Sequence, residues 1–222
     1  MLGCNPQFAD AYREKYLSNG ASGLRELMGC DDQVMYLISE IACLEVLGND
    51  GVLSDHDFGK RVESLASQIG LTEPGMDQPA ARIFTSSSQI DTRQLTNAIT
   101  DAFRFAARAY LGSLVPGFDR LSQGMGILNK LTLCLESIPA GPDGFDRSLV
   151  WVYLIGGSMA APGSLFMNFF NGRCAALGDA ARYGSFGRMI RTLEILWARR
   201  ESGWKGSWRD VMQGNAWDFL LI

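Results

Sequence analysis

The chain has 222 residues, of which 47% are hydrophobic and 20% charged, and this balance is typical of a packed globular protein rather than a disordered one. Its formal net charge of -4 argues against a nucleic-acid-binding protein, in which an excess of basic residues is normal. The longest apolar run ends at Pro162 and is shorter than the roughly 20 residues that a membrane span needs, so we expect no transmembrane helix.

The first two predicted helices cover residues 31–48 and 54–70. In both, apolar residues recur at the three- and four-residue spacing of an amphipathic helix. Asp31 is the expected N-cap of the first helix, and Ser54, followed three residues later by an acidic residue, predicts a capping box for the second. His56 is the one histidine of the chain. It falls in the first turn of the second helix, where we expect a solvated side chain.

After a loop over residues 71–81, rich in proline and glycine, two more helices are predicted over residues 91–114 and 118–138. We expect a solvated, charged face on the third helix, built from Arg93, Asp101, Arg104 and Arg108. The core face of the fourth helix is predicted to contain Leu121, Met125, Leu128, Leu131 and Leu135. Residues 139–144 predict another loop.

Residues 149–163, LVWVYLIGGSMAAPG, raise the question of a catalytic serine, because Gly156 to Ala160 comes close to the G-x-S-x-G turn of hydrolase nucleophiles. No histidine follows Ser158 to act as its base, and no parallel sheet is predicted to hold such a turn. We therefore interpret the segment as a central buried helix, apolar on all sides. In this helix Trp151 packs in the core, and Gly157 and Ser158 form a notch that lets a neighbouring helix approach closely.

Beyond Pro162 the sequence predicts three further helices, with Ser185 as the expected cap of the second and a capping box at Ser207 for the last. No strand pattern alternates along the chain. The predicted fold is therefore all-α: a single domain over residues 1–222, with about eight or nine helices packed antiparallel or in a solenoid-like array.

Five cysteines lie far apart, without a C-x-x-C pair, and with a single histidine they predict neither a disulfide framework nor a structural zinc site. The N-terminus has no basic segment followed by an apolar one, so no secretory signal is expected. Paired carboxylates, phosphate loops and dinucleotide motifs are missing as well. We therefore predict no catalytic residues, no metal ligands and no enzymatic activity.

Three segments resemble the fungal-specific transcription factor domain, the helical regulatory domain that follows the binuclear zinc cluster in many fungal transcription factors. They are FRFAARAYL (103–111), SLVWVYLIGGSMA (148–160) and RTLEILWARRESGWKGSWRDVMQGNAWDFLLI (191–222). The resemblance is strong over residues 91–222 and loose before them. Three positions depart from the family pattern: Val152 replaces a proline, Ser158-Met159 replace Cys-Glu, and Asn215-Ala216 replace a glycine before Trp217.

The resemblance implies a non-enzymatic regulatory domain that controls transcription through ligand sensing, dimerisation or partner contacts, in a nuclear or nucleocytoplasmic location. The partners it implies are a second copy, a transcriptional co-regulator or a small-molecule effector, with no membrane. DNA would be reached only through a zinc-cluster module, whose six cysteines are absent from these residues, so we expect no cofactor in this chain. The alternative is a stand-alone helical adaptor or small-molecule-binding module; a serine hydrolase using Ser158 is the remote alternative.

The tryptophans of the C-terminal segment have two interpretations. Aromatic side chains dominate both ligand pockets and partner surfaces, and they also anchor protein cores because each buries a large area. We expect core anchoring and keep a ligand or partner surface as the functional hypothesis for Trp197, Trp204, Trp208 and Trp217.

Overall fold

The computed structural model describes residues 14, 29–72, 90–118 and 122–217. These residues form eight α-helices and contain no β-strand element, which confirms the all-α class. The helices are α1 (Asp32–Asn49), α2 (Asp55–Leu71), α3 (Thr92–Ser113), α4 (Ser122–Ser137), α5 (Val150–Met159), α6 (Leu165–Leu177), α7 (Gly184–Glu201) and α8 (Trp208–Gly214). Short 3-10 turns precede α5 at Asp146–Ser148 and α7 at Gly178–Arg182.

The helices fall into two compact groups, α1 to α3 and α4 to α8, which meet in the sequence at residues 121 and 122. The organisation as one domain, and the antiparallel or solenoid-like packing of all the helices, stay predictions. In the described ranges no helix is long and apolar enough to cross a membrane.

In the first group, α1, α2 and α3 each pack on the other two. The predicted N-cap of α1 is confirmed, since the Asp31 carboxylate accepts a hydrogen bond of 2.8 Å from the backbone N–H of Gln33. The Ser54 hydroxyl caps α2 in the same way by accepting the N–H of Asp57 at 3.2 Å. His56 is exposed, as expected.

The prediction that α3 has a solvated, charged face is wrong at Arg104, a residue that is only 7% exposed. Its guanidinium pairs with the Asp101 carboxylate one turn earlier, and its Nε donates a 2.9 Å hydrogen bond to the hydroxyl of Thr72. Thr72 is the C-cap of α2, so Arg104 connects the end of one helix to the middle of another. Helical spacing alone does not reveal a hydrogen-bond partner 32 residues away.

In the second group, α5 packs against α4, α6 and α7, which confirms the prediction of a central helix. Every residue from Val150 to Ser158 is buried. Phenylalanine rings of α6 and α7 surround Tyr153 at the midpoint of α5. Tyr153 meets Phe186 edge-on with ring centroids 5.9 Å apart, and it contacts Phe170, which stacks on Phe166. A helix buried on all sides needs apolar neighbours on all sides, and α6 and α7 supply these rings.

Two predictions about this group are wrong and one is confirmed. Met125 is 63% exposed instead of lying in the core face of α4, because the helix turns that position outward while Leu128, Leu131 and Leu135 are buried. The N-cap of α7 is Tyr183, which makes no side-chain cap, rather than Ser185, because the helix already begins at Gly184. The capping box of α8 at Ser207 is confirmed. Predictions for residues 73–81, Leu121 and the C-terminal Leu220, Leu221 and Ile222 lie outside the described residues.

Candidate functional site

The C-terminal end of α5 is closed by side chains of α7. The last carbonyls of an α-helix have no partner within the helix, and a buried end needs partners from elsewhere. The indole Nε1 of Trp197 donates a hydrogen bond of 2.9 Å to the carbonyl oxygen of Gly157. The Arg200 guanidinium donates to the carbonyl of Ser158, where a cation also suits the negative end of the helix dipole. Two residues of α7 thus donate hydrogen bonds to carbonyls in the last turn of α5.

The backbone of α5 approaches its neighbours closely at its paired glycines. A Cβ atom on Gly157 would lie 2.5 Å from Cδ1 and 2.8 Å from Cδ2 of Leu193, a fully buried side chain of α7. A Cβ atom on Gly156 would overlap the ring of Phe166 in α6. Both glycines therefore occupy places with no room for a side chain, one facing each neighbouring helix.

Ser158 lies inside α5 and its side chain is buried. Its hydroxyl donates a 2.8 Å hydrogen bond to the carbonyl oxygen of Ile155 in the same helix. A nucleophile elbow needs a strained strand-to-helix turn that exposes the hydroxyl, and a buried position in the last turn of a helix is a different geometry. The structure thus gives the hydrolase hypothesis no support at Ser158. Trp151, the second residue of α5, is buried as well.

The four tryptophans of the C-terminal segment differ in their surroundings. Trp197 is half-buried and meets the ring of Phe170 edge-on, with centroids 6.1 Å apart. Trp208 is 7% exposed and carries the Arg209 guanidinium 4.4 Å from its ring centroid. Trp204 and Trp217 are half-buried. Their role as a ligand or partner surface stays a prediction.

Trp204 lies in the turn between α7 and α8. The guanidinium of Arg199 sits over its ring, 5.2 Å from the centroid, and its backbone N–H donates to the Arg199 carbonyl at 3.1 Å. On the other side the ring covers Gly206, where a Cβ atom would collide with it. The turn therefore presents a half-exposed indole beside an exposed arginine.

A buried polar cluster, which the sequence analysis missed, lies at the loop before α5. Asp146 is fully buried, and its Oδ1 accepts hydrogen bonds from the hydroxyl of Tyr153 at 2.6 Å and from Arg173 at 3.2 Å. Its Oδ2 accepts the backbone N–H of Gly141 at 3.0 Å. The Arg173 guanidinium also donates to the carbonyl of Leu135 near the end of α4. The cluster joins the loop over residues 139–148 to α4, α5 and α6.

Every partner of Asp146 suits a charged carboxylate, so the cluster is a structural ion pair rather than an acid–base site. Burial, and then the Asp146 carboxylate, raise the pKa of the Tyr153 phenol well above its usual value. Burial likewise raises the pKa of the Cys174 thiol to about 12, with Asp146 as the second cause. In the other group, burial raises the pKa of Cys30 to about 12. These groups stay protonated at neutral pH, and a thiol nucleophile must first lose its proton.

No group of three or more His, Cys, Asp or Glu side chains that could hold a metal ion occurs in the part of the chain that the structure describes. The absence of a cofactor therefore stays a prediction, as does the zinc expected in a separate module.

Comparison with known proteins decides the family. A family model described as the fungal specific transcription factor domain matches residues 1–222, the whole chain. The chain belongs to this family. The match also covers residues 1–90, where the sequence pattern resembles the family only loosely.

Two curated relatives are transcriptional regulators. The chain is 45% identical to the transcriptional regulatory protein pro1 of Neurospora crassa over 251 aligned positions, which cover 100% of this chain and 36% of the relative. It is 25% identical over 213 positions to the pestheic acid cluster transcriptional regulator 3 of Pestalotiopsis fici, covering 90% of this chain and 36% of that protein. The chain thus spans about a third of the length of these relatives. No solved structure matches it.

In this fungal transcription factor domain, the structure shows where the residues of the family's sequence patterns lie. The arginine- and alanine-rich segment lies in the C-terminal half of α3, where Ala106 and Ala107 are fully buried. The tryptophan- and arginine-rich segment forms α7 and α8 and closes the end of α5. Ala216, where the family pattern has glycine, has a φ of 51°, in the left-handed region that glycine adopts at least cost.

Replacing Trp197 by phenylalanine tests the contribution of the indole N–H to this closure. We expect the free energy of unfolding to fall by about 1 kcal/mol, because the Gly157 carbonyl loses the indole donor and keeps only the 3.3 Å hydrogen bond from the Ala160 N–H, while an aromatic ring still packs on Phe170. Urea unfolding followed by circular dichroism measures the change. Ser158→Ala is the matched control, with an expected change of about 0.5 kcal/mol or less, since its hydroxyl bonds only within α5. Equal effects of the two substitutions would show that Trp197 does not cap α5.

Proposed function

We propose that this chain is the non-enzymatic regulatory domain of a nuclear fungal transcription factor, which controls transcription through ligand sensing, dimerisation or partner contacts. The observation that carries the proposal is the family match over the whole chain together with 45% identity to a transcriptional regulator. The geometry of α5 is consistent with it. The serine that sequence suggested as a nucleophile is buried in a helix, and the buried carboxylate Asp146 is fully occupied by structural partners.

The proposal assigns DNA recognition to a separate module. The chain carries a net charge of -4, whereas a DNA-binding surface is expected to be basic. It also spans about a third of the length of its two curated relatives. We therefore expect the gene to encode a six-cysteine zinc cluster and a basic linker upstream of Met1. A complete transcript without that module would instead favour a helical adaptor that lacks its own DNA reader.

A tethering experiment tests the regulatory role. Residues 1–222 are fused to a heterologous DNA-binding domain and expressed with a reporter gene in a fungal host. We expect reporter transcription to rise or fall relative to the DNA-binding domain alone. Gly157→Leu, which should destabilise the core, is expected to weaken that change, whereas Gly172→Ala on an exposed helix face should preserve it. Reporter transcription that never departs from the DNA-binding domain alone would contradict the proposal.

Two further measurements separate the modes of control. Native mass spectrometry of the purified chain distinguishes a retained small molecule, which supports ligand sensing, from a ligand-free dimer, which supports assembly. A fluorescent fusion reports whether the protein accumulates in the nucleus, as the proposal requires.

A further inference from the structure

The outward face of α7 carries a regular stripe of five side chains. Arg188, Arg191, Ala198 and Arg199 are exposed and Ile195 is half-buried. Their spacing of three and four residues places them on one face of the helix, opposite the buried side chains that pack on α5. Arginines lie towards both ends of the stripe, and the two apolar residues lie between them.

This stripe belongs to a basic region of an acidic chain. Residues 184–217 contain six basic and three acidic residues and therefore have a net charge of +3. Because the whole chain has a net charge of -4, the remaining residues have a net charge of -7. One of the three acids, Asp210, is engaged in the capping box of α8. A basic region in an otherwise acidic chain indicates a binding partner that is acidic where it meets that region.

Several cations of the region have no acidic partner among the residues that the structure describes. Arg191 and Lys205 are exposed and form no ion pair there, and the Arg191 Nε donates only to the Gly187 carbonyl. Arg199 is held over the Trp204 ring and likewise meets no carboxylate. Arg104 and Arg173, by contrast, are buried and paired with aspartates. The protein thus pairs these core arginines with aspartates, whereas Arg191 and Arg199 of this face are exposed and meet no carboxylate among the described residues.

We propose that this face of α7, defined by Arg188, Arg191, Ile195, Ala198 and Arg199, binds an acidic amphipathic helix of a protein partner. Side chains that repeat every three and four residues suit a second helix packed nearly parallel to the first. Carboxylates of the partner would pair with the arginines, and its apolar side chains would cover Ile195 and Ala198. The half-exposed Trp204 beside Arg199 adds an aromatic edge of the kind enriched at interfaces.

A helix suits this face better than a nucleic acid. The centre of the stripe is apolar, whereas phosphate contacts need cations, and Glu194 and Glu201 lie exposed beside it. A short stripe on one helix also matches the mode in which an amphipathic helix docks by residues at positions i, i+3, i+4 and i+7. The inference rests on the proposed regulatory function only for its biological setting, since the binding itself is a property of the surface.

Fluorescence anisotropy with the full 222-residue chain tests the inference. The probe is a fluorescein-labelled peptide of three heptads, with glutamates at the positions facing the arginines and leucines at those facing Ile195 and Ala198. We expect it to bind, with an affinity that falls as salt rises. A peptide of the same design with lysine in place of glutamate should not bind.

Charge-reversed variants locate the binding site. Arg188→Glu, Arg191→Glu and Arg199→Glu combined should raise the Kd roughly tenfold or more, because each exposed ion pair contributes a few-fold to affinity. The matched control reverses three exposed cations of the other helix group, Lys60, Arg61 and Arg93, by the same total charge and should change the Kd little. Ile195→Ser tests the apolar part separately, and circular dichroism confirms that each variant is folded.

Several outcomes would overturn the inference. These are no binding of the acidic peptide, equal weakening by the control reversal, equal binding of the lysine peptide, or tighter binding of a DNA duplex that depends on the same three arginines. A purely solvated face would give the first result. Each leaves the expected reporter effect of the tethered chain intact, so failure of this inference and failure of the proposed function are distinguishable.

Discussion

Replacing Gly157 by leucine is expected to lower the free energy of unfolding by about 3 kcal/mol, since overpacking a filled core typically costs 1–3 kcal/mol and occasionally more. The first added carbon would already lie 2.5 Å from Leu193, which is fully buried and has little room to move. The rest of the leucine side chain would force α5 and α7 apart. Urea unfolding monitored by circular dichroism gives the free energy.

Gly172→Leu is the matched control for that substitution. Gly172 also lies within a helix, α6, but it is exposed and has open space where a Cβ would be. Leucine forms helix better than glycine by about 1 kcal/mol, so this variant should be as stable as the wild type or slightly more so. If Gly157→Leu were as stable as Gly172→Leu, the close approach of α5 and α7 would not limit the fold.

Asp146→Ala is expected to cost about 3–5 kcal/mol, the usual penalty for removing one partner of a buried ion pair. The substitution leaves the Arg173 charge buried without its carboxylate and deprives the Tyr153 hydroxyl and the Gly141 N–H of their acceptor. The loop before α5 should loosen as a result. Thermal unfolding would show a lower Tm, and tyrosine fluorescence or hydrogen exchange would report the local change.

An exposed pair of the same residue types provides the control. Asp179 and Arg182 lie 4.0 Å apart with both side chains largely in solvent, and Asp179→Ala should change stability by about 0.5 kcal/mol or less. A double variant, Asp146→Ala with Arg173→Met, should lose less stability than the two single variants together, because it leaves no buried charge without a partner. Additive costs would indicate that Asp146 and Arg173 do not act as a pair.

The helix caps and the buried helix α5 could be predicted well from the sequence. Caps at Asp31, Ser54 and Ser207 depend on residues within one helical turn, and each is found. The buried character of α5 followed from its unbroken apolar run. Such features depend on neighbours in sequence, which periodicity and capping rules describe directly.

Features that depend on distant partners could not be predicted. Arg104 was placed on a solvated face because its hydrogen bond to Thr72 spans 32 residues. Asp146 lies in a segment whose prolines and glycines predicted only a loop, and its partner Arg173 is 27 residues away. Gly141, with a φ of 93°, has the left-handed conformation that glycine favours and that brings its N–H to the carboxylate. Only the fold brings these groups together.

The sequence suggests Trp197, Trp204, Trp208 and Trp217 as one candidate ligand or partner surface, and this role stays a prediction. The structure adds a capping role for Trp197 at α5 and places Trp204 in a turn beside Arg199. Aromatic residue type signals an interaction, but the direction of each ring depends on tertiary packing.

The junction of α5 and α7 has a mechanical consequence. Because residue 157 is glycine, no side chain separates the α5 backbone from Leu193 of α7. Trp197 and Arg200 of α7 donate hydrogen bonds to the end of α5. Sliding or rolling of one helix against the other would press Leu193 onto the α5 backbone or break those hydrogen bonds. We therefore expect α5, α7 and the loop that Asp146 connects to Tyr153 to move together as one rigid unit.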